Sequence, residues 1–317
     1  MKKLITISTL LFCVYSFSYS QAEDFEKPVI IRNHVKTKTQ SDFKYIDGKP
    51  ARTGVKVSRT YYNPSGEILK KEILNNTGQV TAWEKYEYDA NNNRILFERE
   101  GSGSTYKKTS AYDTKNNLIK ETGFNGAENF KNDFKYNTAN KLTEALYSLN
   151  NKIQQKLVYN NSGNTTNAEV YMNGATLSSK IKIVYDSKGN IIEETTYNIS
   201  GQELEKKKFV YNASSKIIEE TKTRKGSFFY RLTYEYNSRG DQTAMYEETL
   251  SKTKFLKKQY IYDAAGHLVE FKWRRTPDEE FNVKKYTVDT KGLYLTEYTY
   301  YPKTKYELLS KFEYEYY

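Results

Sequence analysis

From Tyr62 onward, apolar or aromatic positions alternate with polar ones. This is the period-two pattern of half-buried strands. The alternation is interrupted at regular intervals, and the interruptions share a register. Anchor residues Tyr62, Tyr88, Tyr112, Tyr136, Tyr159, Tyr185, Tyr211, Tyr236, Tyr262 and Val288 lie 23–26 residues apart. Asp or Asn follows each anchor, with Asp at Asp89, Asp113, Asp186, Asp263 and Asp289. Four residues past each anchor stands Gly or Asn, as at Gly66, Gly189, Gly240 and Gly266, with Ser215 the one exception. An Asp or Asn at the first turn position accepts hydrogen bonds from amides two residues on, and Gly or Asn takes φ > 0 with little strain. The columns therefore predict a type I turn followed by a left-handed residue, closing a β-hairpin at every anchor.

Two residues before the anchor stand Tyr86, Phe134, Leu157, Ile183, Phe209, Tyr234, Tyr260 and Tyr286, on the same strand face as the anchor itself. The clearest leaving strands begin with an apolar pair, as at Ile191-Ile192 and Leu268-Val269. A looser turn such as Asn173-Gly174 returns the chain to the next anchor. The predicted fold is all-β: tandem antiparallel hairpins, about ten units and twenty strands. A twist of about 20° per strand pair coils so wide a sheet, so the expected form is a long solenoid-like sheet or partial shell. Residues 312–317 alternate and stop, which reads as a final edge strand blunted by Glu313 and Glu315.

The repeat defines a single domain over residues 43–317, preceded by an N-terminal arm or cap at 21–42. Residues 1–20 have the organisation of a secretory signal: Lys2 and Lys3, an apolar run, then Ser18-Tyr19-Ser20 before the cut. Cleavage there removes Cys13, the only cysteine, and with it any disulfide or thiol chemistry. No membrane span is expected after cleavage, and the chain is placed in the periplasm, at the cell surface or outside the cell. A net charge of +11 falls to +9 with the leader. Its Lys and Glu are interspersed, which describes a solvated surface; nucleic acid is not an expected partner. With 31 Tyr and a mean hydropathy of −0.85, the chain suits a thin structure with a narrow aromatic layer rather than one deep core.

Candidate chemistry is sparse. The chain has two histidines, His34 in the arm and His267 in an anchor turn, and shows no nucleophile elbow, phosphate loop or metal-spaced cluster. No catalytic residue, cofactor or metal is expected. The Asp/Asn column is assigned to turns. The binding candidates are aromatics that the repeat does not demand: Trp83, Phe228, Phe229, Tyr230 and Tyr301, with Trp273 beside Arg274 and Arg275 as the one aromatic-basic cluster.

The Tyr-Asp-x-x-Gly-Asn element of residues 185–190, recurring about every 25 residues over roughly 60–300, resembles the YD repeat of RHS-type and teneurin-type proteins. The resemblance implies an exported or wall-associated repeat, often described as carbohydrate-binding, whose strands coil into a shell. This chain is far shorter than toxin-delivering members and shows no toxin segment after its last repeat. The resulting expectation is an exported, non-enzymatic binding or adhesion protein of the cell envelope, taking glycan or another surface polymer. One alternative is a scaffold holding an envelope protein along its concave face or sheet edge. The other is an outer-membrane β-barrel, which 28% charged residues disfavour.

Overall fold

A computed structural model describes residues 21–317, so the proposed leader lies outside the described residues. Helix α1 (Gln21–Arg32) leads into strand β1 (Val35–Ile46), a two-residue ladder β2 (Lys49–Pro50), and strand β3 (Val55–Tyr62). The arm expected at 21–42 is thus this helix and most of the first strand. Antiparallel strands then follow one another to β23 (Tyr306–Tyr316), each paired with its sequence neighbours.

Nine of the ten anchor turns form as the sequence predicts; at Tyr159 the ladder runs on through Ser162 and the turn comes later. At Asp186 the amides of Lys188 and Asn190 both donate to Oδ1 at 2.8 Å, and Asn190 Nδ2 donates to Oδ2 at 2.8 Å. These bonds, the Asn190 side chain first, hold the Asp186 carboxyl below its ordinary range. Gly189 N donates to Asp186 O at 3.1 Å and adopts φ +84°, a conformation that strains any residue with a Cβ. All ten positions of the Gly/Asn column have positive φ, including Ser215 at 58°. A register shift flanks nearly every turn, as between Val184 and Tyr185 just before it.

The global shape departs from the expected open sheet. Residues 312–316 do not end in an edge: β23 pairs with β1 through Lys38↔Tyr314, Gln40↔Phe312 and Asp42↔Ser310, and β1 pairs on its other side with β3. The sheet closes into a barrel of 22 strands, with β2 outside the ring. Stepping from partner to partner, one circuit returns to β1 displaced by about 22 residues. A shear equal to the strand number gives a tilt of about 36°. The backbone ring is then roughly 40 Å across and about 20 Å high. The physical reason for closure is the register: each unit advances the pairing by about two residues, so twist becomes barrel tilt and the first and last strands meet. Among the described residues, substantial strand packing is confined to ladder neighbours, which leaves the ring hollow.

The concave face is identified by one cavity beneath α1. Leu268, Tyr286, Tyr294, Phe312, Lys38, Tyr62 and Lys71, from seven successive strands, border it together with Glu26 of the helix. Six strand spacings span about 29 Å of wall, which can border one cavity only from the inside of a curve. The anchor tyrosines and the residues two before them therefore face the lumen.

Candidate functional site

Each wall strand presents one side chain inward and the next outward, so the lumen and the exterior are two chemistries written on the same residues. Inward, the anchor tyrosines tie the units together. Tyr88 Oη donates to Ile68 O at 3.0 Å, Tyr136 to Leu118 O at 3.1 Å, Tyr211 to Ile191 O at 2.7 Å, Tyr236 to Ile217 O at 2.7 Å and Tyr262 to Gln242 O at 3.0 Å. Each bond reaches the start of the preceding unit's leaving strand. The same latch recurs beside the seam, where Tyr314 Oη donates to Tyr294 O at 2.8 Å, and a different bond crosses the closure itself, from Tyr317 Oη to Tyr62 O. In the unit that begins at Tyr159 the turn shifts to Gly163-Asn164, and Asn161 Nδ2 replaces the tyrosine hydroxyl, donating to Leu142 O at 2.9 Å.

One inner cluster comprises Phe134, Ala145, Leu157, Ala168, Val170 and Ile181, with Ala145 set between Phe134 and Leu157 and Ala168 across from Ile181. Elsewhere the inner wall is aromatic and charged at once. Tyr260 stacks on Phe271 at 4.9 Å and Phe271 on Trp273 at 5.0 Å; Trp273 meets Tyr301 edge-on at 5.8 Å, and Tyr301 approaches Tyr306 at 6.0 Å. Burial pushes the Tyr260 and Tyr294 hydroxyls up to about 12. Inner ion pairs include Lys108–Glu121, Lys222–Glu205 and Lys284–Glu297, each at 2.6 Å. Glu194, 6% exposed, lies across from Lys207, and burial above all raises its carboxyl.

Outward, the same strands carry salt-bridge ladders. Glu144 receives Lys135 at 2.7 Å and Lys156 at 3.2 Å, Glu98 receives Lys107 at 2.6 Å, and Glu72 receives Lys70 at 2.7 Å and the Tyr61 hydroxyl at 2.9 Å. The Lys135 hydrogen bond is the main cause that holds the Glu144 carboxyl low. A lipid-facing band pays about 2–4 kcal/mol for a Lys or Arg near mid-height. This exterior carries charged residues on strand after strand.

One end of the ring is occupied. Helix α1 lies at the anchor-turn end, with Ile30 buried against Val35, Tyr62 and Leu293. Lys27 pairs with Glu67, Glu26 with Lys38 at 2.6 Å, and Arg32 donates to Lys291 O at 2.8 Å. The opposite end carries the looser turns.

The structure separates the binding candidates read from sequence. Trp273, Arg275 and Tyr301 come together, with Glu279 and Lys303, around a cleft of about 620 Å³ at the loose-turn mouth of the lumen. Arg274 is turned away: Nε donates to Leu256 O at 2.9 Å and Nη1 to Pro277 O at 2.7 Å. Phe229 and Tyr230 face inward farther round the wall, already engaged by Arg224, 3.9 Å from the Phe229 ring centroid, and by Glu220, which accepts from Tyr230 Oη at 2.5 Å. Phe228 stands opposite Thr223 on the outer side. Trp83 is also outside, between Glu72 and Glu100 on the adjacent strands. His267 sits in its turn with Nδ1 2.9 Å from Asp263 Oδ2. Among the described residues, no three His, Cys, Asp or Glu side chains gather as a metal site. Sequence reading missed the charged residues of the lumen, Glu194, Glu205, Lys222 and Lys258. The available signal was spacing for two of them: Glu205 and Lys258 stand six and four residues before the anchors Tyr211 and Tyr262, on the anchor's face, whereas Glu194 and Lys222 lie on leaving strands, where the bulge at the turn shifts the count by one.

No family model matches the chain, and no curated protein does. Among solved structures, the Photorhabdus luminescens Tc holotoxin pore is 13% identical with a TM-score of 0.30, over 84% of this chain and 15% of that one, so this chain spans a small fraction of the toxin's length. A porin-like protein from Bacteroides uniformis is 11% identical with a TM-score of 0.32, covering 89% of this chain and 97% of that chain. A porin-like protein from Bacteroides vulgatus is 9% identical with a TM-score of 0.25, covering 89% and 99%.

The closed ring corrects the functional expectation. An adhesion repeat reading glycan along an open sheet needs an exposed concave face, and scaffolding by strand addition needs a free barrel edge. Pairing of β1 with both β3 and β23 encloses the first and removes the second. The architecture matches the barrel alternative instead.

Proposed function

We propose that this protein is a β-barrel of the cell envelope that works through its lumen, admitting small solutes at the loose-turn mouth and holding them against an aromatic, charged inner wall. The observation that carries the reading is the pairing of β1 with β23, which encloses a hollow interior. The YD-like repeat is, on this reading, the device that builds a wall of defined shear. The outward ladders, such as Lys135–Glu144–Lys156, favour a ring that stands in water.

Two tryptophans, one on each wall, provide the test. In Trp83→Phe and Trp273→Phe variants of the chain from Gln21, iodide quenches the remaining tryptophan in both, whereas a dextran-coupled quencher reaches only Trp83. Trp273 fluorescence indifferent to iodide would contradict an open lumen. The closed ring also favours a second reading, a pore set in lipid. Steady conductance across a planar bilayer, with insolubility in the absence of detergent, would select that reading over the water-standing ring.

A further inference from the structure

Most inner lysines are neutralised: Lys108, Lys222, Lys257 and Lys284 each hold a carboxylate. Lys258 does not. It lies on strand β19 (Lys254–Tyr262), across from Met245 on one side and Trp273 on the other. Both partners face the lumen, and Tyr260, Phe271 and Trp273 form the stacked aromatic run beside it. Its charged neighbours are Lys257 and, through that lysine's ion pair, Glu247. The Lys258 side chain is half-buried, and among the described residues no carboxylate pairs with it.

We propose that Lys258 is a carbonyl-reactive amine and that the adjoining Phe271–Trp273 face is the subsite for the body of an aromatic aldehyde. The proposal rests on the lumen being open to solutes. A lysine held among apolar rings beside another cation is more easily kept neutral, and the neutral amine is the nucleophile. Burial foremost, then Lys257, lowers its basicity. The amine nitrogen adds to the aldehyde carbon, the oxygen takes up the proton that nitrogen gives up, and the carbinolamine loses water to leave an imine that hydrolysis reverses. No oxidant or reductant takes part. The planar rings would hold an aromatic substituent by stacking.

The experiment treats the chain from Gln21 with benzaldehyde or acetaldehyde at pH 7, traps imines with cyanoborohydride, and maps modified lysines by peptide mass. Lys258 is expected to react about tenfold faster than the exterior Lys182 and Lys285, the scale of a modest desolvation effect. It should prefer benzaldehyde, and Trp273→Ala should remove that preference while leaving the exterior lysines unchanged. Lys207, which faces the lumen across from Glu194, serves as the control for access. Modification of Lys207 without faster modification of Lys258 overturns the assignment and leaves the open lumen standing. Modification of neither overturns both.

Discussion

The inner and outer walls are made from the same strands and differ in what holds them. Inside, Phe134 is 6% exposed and packs with Ala145 and Leu157, and tyrosine hydroxyls latch unit to unit. Outside, its chain neighbour Lys135 projects into solvent toward Glu144. A barrel sealed in lipid has an apolar exterior and a polar interior; here the larger share of apolar and aromatic contact is turned inward. The contrast teaches that the repeat encodes curvature as well as strands, because the bulkier, better-packed face becomes the concave one.

The comparison is broken most severely by removing inner packing. Phe134→Ala should destabilise by about 3–5 kcal/mol, read as a lower urea midpoint in circular dichroism. A loss below 1 kcal/mol would mean that the inner cluster does not hold the wall. Smaller effects come from the devices that set register. Tyr211→Phe, which removes the bond to Ile191 O, should cost about 1 kcal/mol. Gly189→Ala should cost about 1 kcal/mol through its φ of +84°. Equal stability of these two variants and the parent would remove the latch and the left-handed turn from the account.

A pH-dependent effect sharpens the contrast further. Burial raises the Glu194 carboxyl above the ordinary glutamate value of 4.5. Such a carboxyl favours the folded state while protonated; that contribution is complete below about 4.5 and is lost as pH rises through the raised folded value. Glu194→Gln should therefore raise the urea midpoint at pH 8 and leave it unchanged at pH 4. A variant less stable than the parent at pH 8 would show that Glu194 is well paired. The smallest effect belongs to the exterior: Lys135→Ala should produce a shift too small to separate from replicate melts, because solvent already screens the pair.

What the sequence made legible follows from range. The turn at residues 186–190 is a local device whose bonds span four residues, so the columns of Asp, Asn and Gly declare it, down to the positive φ of Ser215. The alternation of Phe134 and Tyr136 showed which residues share a face, but not that this face is concave. Closure was hidden because Gln40↔Phe312 joins residues 272 apart, and residues 35–42 carry no anchor or turn to announce a barrel strand. The candidate site was legible in part. Trp273 and Tyr301 stood out as aromatics off the repeat columns, and they do meet. Arg274, Phe228 and Trp83 stood out equally, but a bulge, a turn or the odd step of a strand turned each elsewhere. Lys258 could not be singled out, since its distinction from Lys257 is a contact that it lacks.

Closure is the central claim, and a disulfide across the seam tests it most directly. Thr39 and Glu313 are partners across the β1–β23 ladder, and the chain from Gln21 contains no native cysteine. In a Thr39→Cys, Glu313→Cys double variant, mild oxidation of dilute protein should give one intramolecular disulfide in nearly every monomer, confirmed by peptide mass. Free thiols, or only disulfide-linked dimers, would show that the first and last strands do not meet and would contradict the closed barrel.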